Sequence, residues 1–141
     1  MTTTTAKERR YRLEITATQA QALITALDFY ARLGMAQFDE IKRHASYEMK
    51  REVWDRGDCV DHLCAALKAS LCPELGPSAY HGIMSPKIPA LNRVCMDIRD
   101  VIRYRLAWDH EPKGGHIVDF DTPFHHQHDV ALPAIEEIKN G

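Results

Sequence analysis

The amino-acid sequence predicts a mainly α-helical (α+β) domain: a bundle of about four helices carrying a small two-stranded β element. Three features carry the prediction. Apolar residues recur at helical spacing in four stretches. Gly and Pro stand between those stretches. Strand-like alternation is confined to residues near 10–15 and 116–120. At 141 residues the chain has the length of one domain, and folding at this size buries roughly 68% of the unfolded surface, so no staple is required. Residues 1–9 are expected to be disordered, 10–122 to form a single helical domain, and 123–141 to run as an extended tail.

Residues 10–15 open the ordered chain, with Tyr11, Leu13 and Ile15 alternating with charges as a half-buried strand requires. A helix follows at once. Thr16 with Gln19, or Thr18 with Gln21, has capping-box spacing, and residues 22–33 are so apolar that Gln21, Thr25, Asp28 and Arg32 form the only polar stripe. So narrow a stripe predicts a helix central in the domain or shared with a second subunit, with Gly34 as its stop or a kink. Residues 36–56 predict a second helix whose inner face is Phe38, Ile41, Ala45, Met49 and Val53. Gly57 ends it. Asp58 caps a third helix to Leu71, with Val60, Leu63, Cys64, Leu67 and Leu71 inside, and Cys72-Pro73 stops it. The fourth, residues 89–108, buries Leu91, Val94, Cys95, Ile98, Val101, Ile102 and Leu106. After a turn at 111–115, residues 116–120 read as a second strand pairing with residues 10–15.

Composition narrows the function. Lys+Arg (18) and Asp+Glu (20) nearly cancel, so broad binding to extended nucleic acid is not expected. No apolar run approaches the ~18 residues of a membrane span, and no hydrophobic segment follows the first charges, so a cytoplasmic protein with no membrane partner is expected. Cys59, Cys64, Cys72 and Cys95 lack a C-x-x-C pair and are read as reduced thiols.

The candidate chemistry lies in the loop of residues 73–89 and on the fourth helix. Four of the seven prolines fall in that loop, beside Tyr80, His81, Gly82 and Ser85. An aromatic ring next to Gly lets a flat group stack while backbone amides approach, and Ser85 adds a hydroxyl. The outer face of the fourth helix offers Asn92, Arg93, Arg99 and Arg103, with Asp97 and Asp100 between them, and planar guanidinium groups suit phosphate. Arg105 falls among apolar positions, where it must snorkel, meet a carboxylate or face a cavity, and Trp108 is a second stacking candidate. The ligand-binding set is therefore Tyr80, His81, Ser85, Arg93, Arg103, Arg105 and Trp108. No catalytic residue, cofactor or metal is assigned. The acidic pairs Asp39/Glu40, Asp58/Asp61 and Asp97/Asp100 would hold Mg²⁺ if three helices converged, and all-α nucleotide pyrophosphatases are similar in this respect. His125, His126 and His128 are imidazoles on a tail with no rigid neighbours, and His128-Asp129 resembles the centre of an HD phosphohydrolase motif.

Three blocks carry a resemblance: residues 30–41, beginning Tyr30-Ala31-Arg32-Leu33-Gly34; residues 80–86, Tyr80-His81-Gly82-Ile83-Met84-Ser85-Pro86; and residues 102–109, ending Ala107-Trp108-Asp109. Together they resemble small accessory proteins of tailed bacteriophages and prophages whose function is unassigned. That resemblance implies a setting in the bacterial cytoplasm, where proteins of this size include nucleotide sponges such as the Thoeris and CBASS antagonists. The expectation is a non-enzymatic, homo-oligomeric protein that sequesters a small phosphate-bearing ligand such as a signalling nucleotide. The alternatives are a metal-dependent nucleotide hydrolase using the helical Asp pairs and an inhibitor that binds a host protein.

Overall fold

The computed structural model describes residues 6–50 and 57–139. Its helices are α1 (Ala17–Gly34), α2 (Glu40–Arg43), α3 (Gly57–Leu71) and α4 (Ala90–His110). α2 widens into a π-turn over His44–Glu48, and a 3-10 turn, Val118–Phe120, follows α4. The mainly α class holds. No helix among the described residues is long and apolar enough to cross a membrane.

Local chemistry places the helix starts and stops. Thr16 and Gln19 close the capping box that opens α1: the Thr16 hydroxyl accepts from the Gln19 N–H at 3.2 Å, and the Gln19 side chain returns the bond at 2.9 Å. α1 ends at Gly34 as expected, but the closing turn is made by Ala36, which takes φ +64° while the Gln37 N–H bonds the Arg32 carbonyl in a Schellman closure. Gly34 instead lets α4 approach, because a Cβ there would fall on the Asn92 amide, which donates to the Tyr30 carbonyl at 2.9 Å. The second helix is accordingly shorter than residues 36–56. It begins at Glu40 because the left-handed Ala36 breaks the path, and residues 51–56 lie outside the described part.

No strand occurs among the described residues, which corrects the proposed pairing of 10–15 with 116–120. The alternation finds no partner: Tyr11, Leu13, Ile117 and Val118 all remain exposed. Phe120 turns back instead, its ring edge-on to Trp108 at 5.3 Å, with Gly115 close enough that a Cβ would strike the Phe120 ring. An aromatic contact with the end of α4 thus replaces a ladder that two short strands could not sustain alone.

The core lies between α1 and α4. Ala31, Cys95 and Met96 form its buried centre, joined by Leu27, Met35 and, from the loop before α4, Ile83. The buried face of α4 is not the apolar arc expected. Cys95, Val101 and Ile102 are buried as predicted, but Leu91 is exposed, whereas Asn92, Asp97 and Asp100 are buried. α3 departs further: Leu63 and Leu71, assigned to an inner face, are 65% and 61% exposed, and Leu67 is also exposed.

The Gly34–Asn92 approach yields a stability prediction. Gly34→Ala should cost about 1–3 kcal/mol, as overpacking does, while Gly76→Ala, where a Cβ meets nothing within 4 Å, should stay within about 0.5 kcal/mol. Chemical denaturation of both variants measures the difference.

Candidate functional site

A chain of alternating charges crosses the α1–α4 interface. Asp28 of α1 accepts from Arg32 Nε at 2.9 Å and from Arg99 Nη1 of α4 at 2.5 Å, with Arg43 of α2 at 3.7 Å. Arg99 also donates to Asp100 through Nε at 2.8 Å and Nη2 at 2.5 Å. Arg103 continues the chain, lying 3.4 Å from Asp100 and 3.1 Å from Asp119. Arg43 is clamped by Glu40 at 2.6 Å, and that hydrogen bond raises the guanidinium above its already high ordinary value. Buried His44 closes the cluster, 3.3 Å from Arg43 and with its ring against Phe29 at 4.3 Å. Four carboxylates (Asp28, Glu40, Asp100, Asp119) therefore face four guanidinium groups (Arg32, Arg43, Arg99, Arg103).

Two clefts open on this chain, and Arg103 lines both. One, of about 220 Å³, is walled by Asp100, Arg103, Asp119, Asp121, Pro123 and Phe124. The other, of about 140 Å³, is walled by Thr25, Asp28, Arg43, His44, Arg99 and Arg103. Among the described residues Arg103 is the helix-borne arginine without a well-formed hydrogen bond. Its Nε is inaccessible to solvent and has no hydrogen-bond partner, because the N–H is not aligned on the Asp119 oxygen beside it. A buried donor left out of line with its acceptor is held less firmly than Arg99, which has aligned carboxylate partners.

The other residues singled out from sequence are dispersed. Arg93 is structural: it donates to Gln127 at 2.7 Å, to the Ser85 carbonyl at 3.2 Å and to the Ile88 carbonyl at 2.8 Å, tying the loop and the tail to α4. Arg105 snorkels to an exposed pair with Asp109 at 3.1 Å and faces no cavity. Trp108 packs edge-on to Tyr104 and Phe120. Tyr80 is exposed, His81 meets Glu74 at 3.1 Å, and the Ser85 hydroxyl accepts from the Lys87 N–H at 3.3 Å. Of the set named from sequence, Arg103 alone lines either cleft. Arg99, read as solvated, has only 11% of its side chain exposed. Asp28 was legible as part of α1's polar stripe, but nothing local marks it as the partner of a residue 71 positions away.

The acidic pairs do not converge. Glu40 serves Arg43, Asp61 serves Lys42 at 3.0 Å, Asp100 serves Arg99, and buried Asp97 accepts from the His126 N–H at 2.8 Å and the Gln127 N–H at 3.0 Å. His126 Nδ1 adds a contact to Asp97 at 2.7 Å, so the tail is clasped to α4. Two groups could hold a cation: Asp28, Glu40 and His44, and Cys72, Glu74 and His81, with donor atoms within 4.8 Å in each. In the first, guanidinium groups already neutralise both carboxylates. No family model, curated protein or solved structure matches the chain.

Different roles for Arg99 and Arg105 follow. Arg99→Met should cost about 3–5 kcal/mol, because Asp28 and Asp100 lose their main buried partner; Arg105→Met, removing an exposed pair, should cost under about 0.5 kcal/mol. Denaturant midpoints of the two variants decide between this assignment and a solvated Arg99. Release of the tail is the second expectation: Asp97→Ala should make residues 123–139 cleavable by protease while α4 stays protected, as mass spectrometry of a limited digest reads out.

Proposed function

We propose that the chain is a non-enzymatic binding protein for a small phosphate-bearing ligand, such as a signalling nucleotide, with Arg103 as the phosphate contact. The observation that carries this reading is Arg103 itself, shared by both clefts, with 27% of its side chain exposed and no well-aligned hydrogen bond to the Asp100 and Asp119 oxygens beside it. A phosphate oxygen that reaches the exposed part of the Arg103 guanidinium forms a charge-assisted hydrogen bond, worth about 1.5–3 kcal/mol. Asp100 and Asp119 hold the guanidinium in place, so little rotamer entropy is lost on binding. Arg43, 44% exposed along its side chain, offers a second cation on the rim of the smaller cleft.

Size limits what enters. Both clefts fall below the roughly 300–1,000 Å³ of pockets that enclose a drug-sized molecule. A phosphate group fits and a whole nucleotide does not, so the base lies outside, where exposed Phe124 on the wall of the larger cleft offers a stacking face. Phe124 takes the role that the sequence reading gave to Tyr80 or Trp108. Homo-oligomerisation is part of the same proposal: the bare Leu63, Leu67 and Leu71 stripe supports a second copy covering α3. A phage accessory role in the bacterial cytoplasm rests on the resemblance alone.

Calorimetric titration with inorganic phosphate and with a cyclic dinucleotide tests the site. Arg103→Met should weaken binding at least about tenfold, since ~1.4 kcal/mol is a decade, and Arg105→Met should leave it unchanged. Equal affinities for wild type and Arg103→Met would overturn the assignment. Denaturing the complex should return the nucleotide intact, and recovery of hydrolysis products would replace binding with catalysis. Light scattering at tens of micromolar should give a mass above the 16.1 kDa of one chain.

A further inference from the structure

We infer that Cys72, Glu74 and His81 form a binding site for one Zn²⁺-class divalent cation, separate from the arginine clefts. Their thiol, carboxylate and imidazole donor atoms all lie within 4.8 Å of one another. In a tetrahedral zinc site, bonds of about 2.0–2.3 Å place ligand atoms roughly 3.5 Å apart, so closing on a cation needs movements of about an ångström. Glu74 and His81 already face each other at 3.1 Å.

The loop that carries them is held at several points. Cys72 directly follows the last residue of α3, and its N–H bonds the Lys68 carbonyl at 2.7 Å. Its own carbonyl accepts from the Leu75 N–H at 3.0 Å, forming the turn that presents Glu74. The His81 N–H bonds the Met35 carbonyl at 2.9 Å, which anchors the far ligand to the end of α1, and only 13% of the His81 side chain is exposed. Lys68 Nζ spans the loop to the Pro77 carbonyl at 3.1 Å. Cys72 and His81 are 9 positions apart, so most of the closure entropy is met by a short, proline-rich segment.

Charge and donor type select the cation. The carbonyl end of α3 carries partial negative charge beside Cys72 and favours a cation there. Lys87 lies 4.0 Å from Glu74 on an exposed side chain that can swing away when a metal replaces it. A mixed sulfur, nitrogen and oxygen set suits Zn²⁺ or Co²⁺ and not the all-oxygen preference of Mg²⁺ or Ca²⁺. Three protein ligands leave a fourth position for water or an exogenous donor.

Cobalt titration of chelator-treated full-length protein tests the site. A 1:1 spectrum with thiolate-to-cobalt charge transfer and tetrahedral visible bands, displaced by Zn²⁺, is expected. Cys72→Ser and His81→Ala should each weaken binding at least about tenfold, the scale on which even outer-shell changes act, and Cys59→Ser should leave it unchanged. A second measurement needs no variant: Zn²⁺ should protect Cys72 from alkylation, read by peptide mass, while exposed Cys59 stays reactive. Absence of the charge-transfer band, retention of it in Cys72→Ser, or alkylation of Cys72 unaffected by Zn²⁺ would overturn the inference.

Discussion

The bond between Arg99 and Asp28 is the constraint on which the rest of the fold depends. It joins α4 to α1 through two side chains that are almost fully withdrawn from water. A charge in that position is tolerated only when its remaining donors and acceptors are met, so each partner calls in another. Arg99 needs Asp100, Asp28 needs Arg32 and Arg43, and Arg43 needs Glu40. The apolar core beside this network is small-featured, built on Ala31, Cys95 and Met96. An apolar core of that size constrains helix register weakly, whereas an ion network with directional bonds does so strongly.

The same helix directs the connections on its other side. Asp97 and Arg93 clasp the tail through His126 and Gln127, and Arg93 also holds the carbonyls of Ser85 and Ile88 in the preceding loop. α4 is thereby the organising element. Its polar residues hold α1, the loop and the tail, and its one under-bonded cation, Arg103, is left at the junction of the two clefts. The arginines of this one helix differ in how far carboxylates or carbonyls already satisfy them.

The candidate site was legible only in part. Composition drew attention to the guanidinium groups of the fourth helix, but it put Arg103 on an outer arc with Asn92 and Arg99, of which Asn92 is buried and Arg99 nearly so. Arg93 and Arg105 carry the same side chain on the same helix and do different work. Their partners, the loop carbonyls for Arg93 and Asp109 for Arg105, decide the outcome, and only the Asp109 pairing is local enough to be read from an i,i+4 spacing. Phe124 was missed because a tail aromatic has no periodic context that would mark it as the wall of a cleft.

What the sequence by itself determined is the set of helices and where most of them begin and end. Capping by Thr16 and Gln19, the Cys72-Pro73 stop and the proline-bounded start of α4 act within one or two turns and need no tertiary partner. What only the tertiary structure decided is which face of each helix is inside, whether residues 10–15 and 116–120 meet, and which partners each arginine finds. Periodicity places polar and apolar residues on opposite faces but assumes that the polar face meets water. In α4 that assumption fails, because Asp28, supplied by another helix, makes burial of Arg99 less costly than its hydrophobicity alone implies.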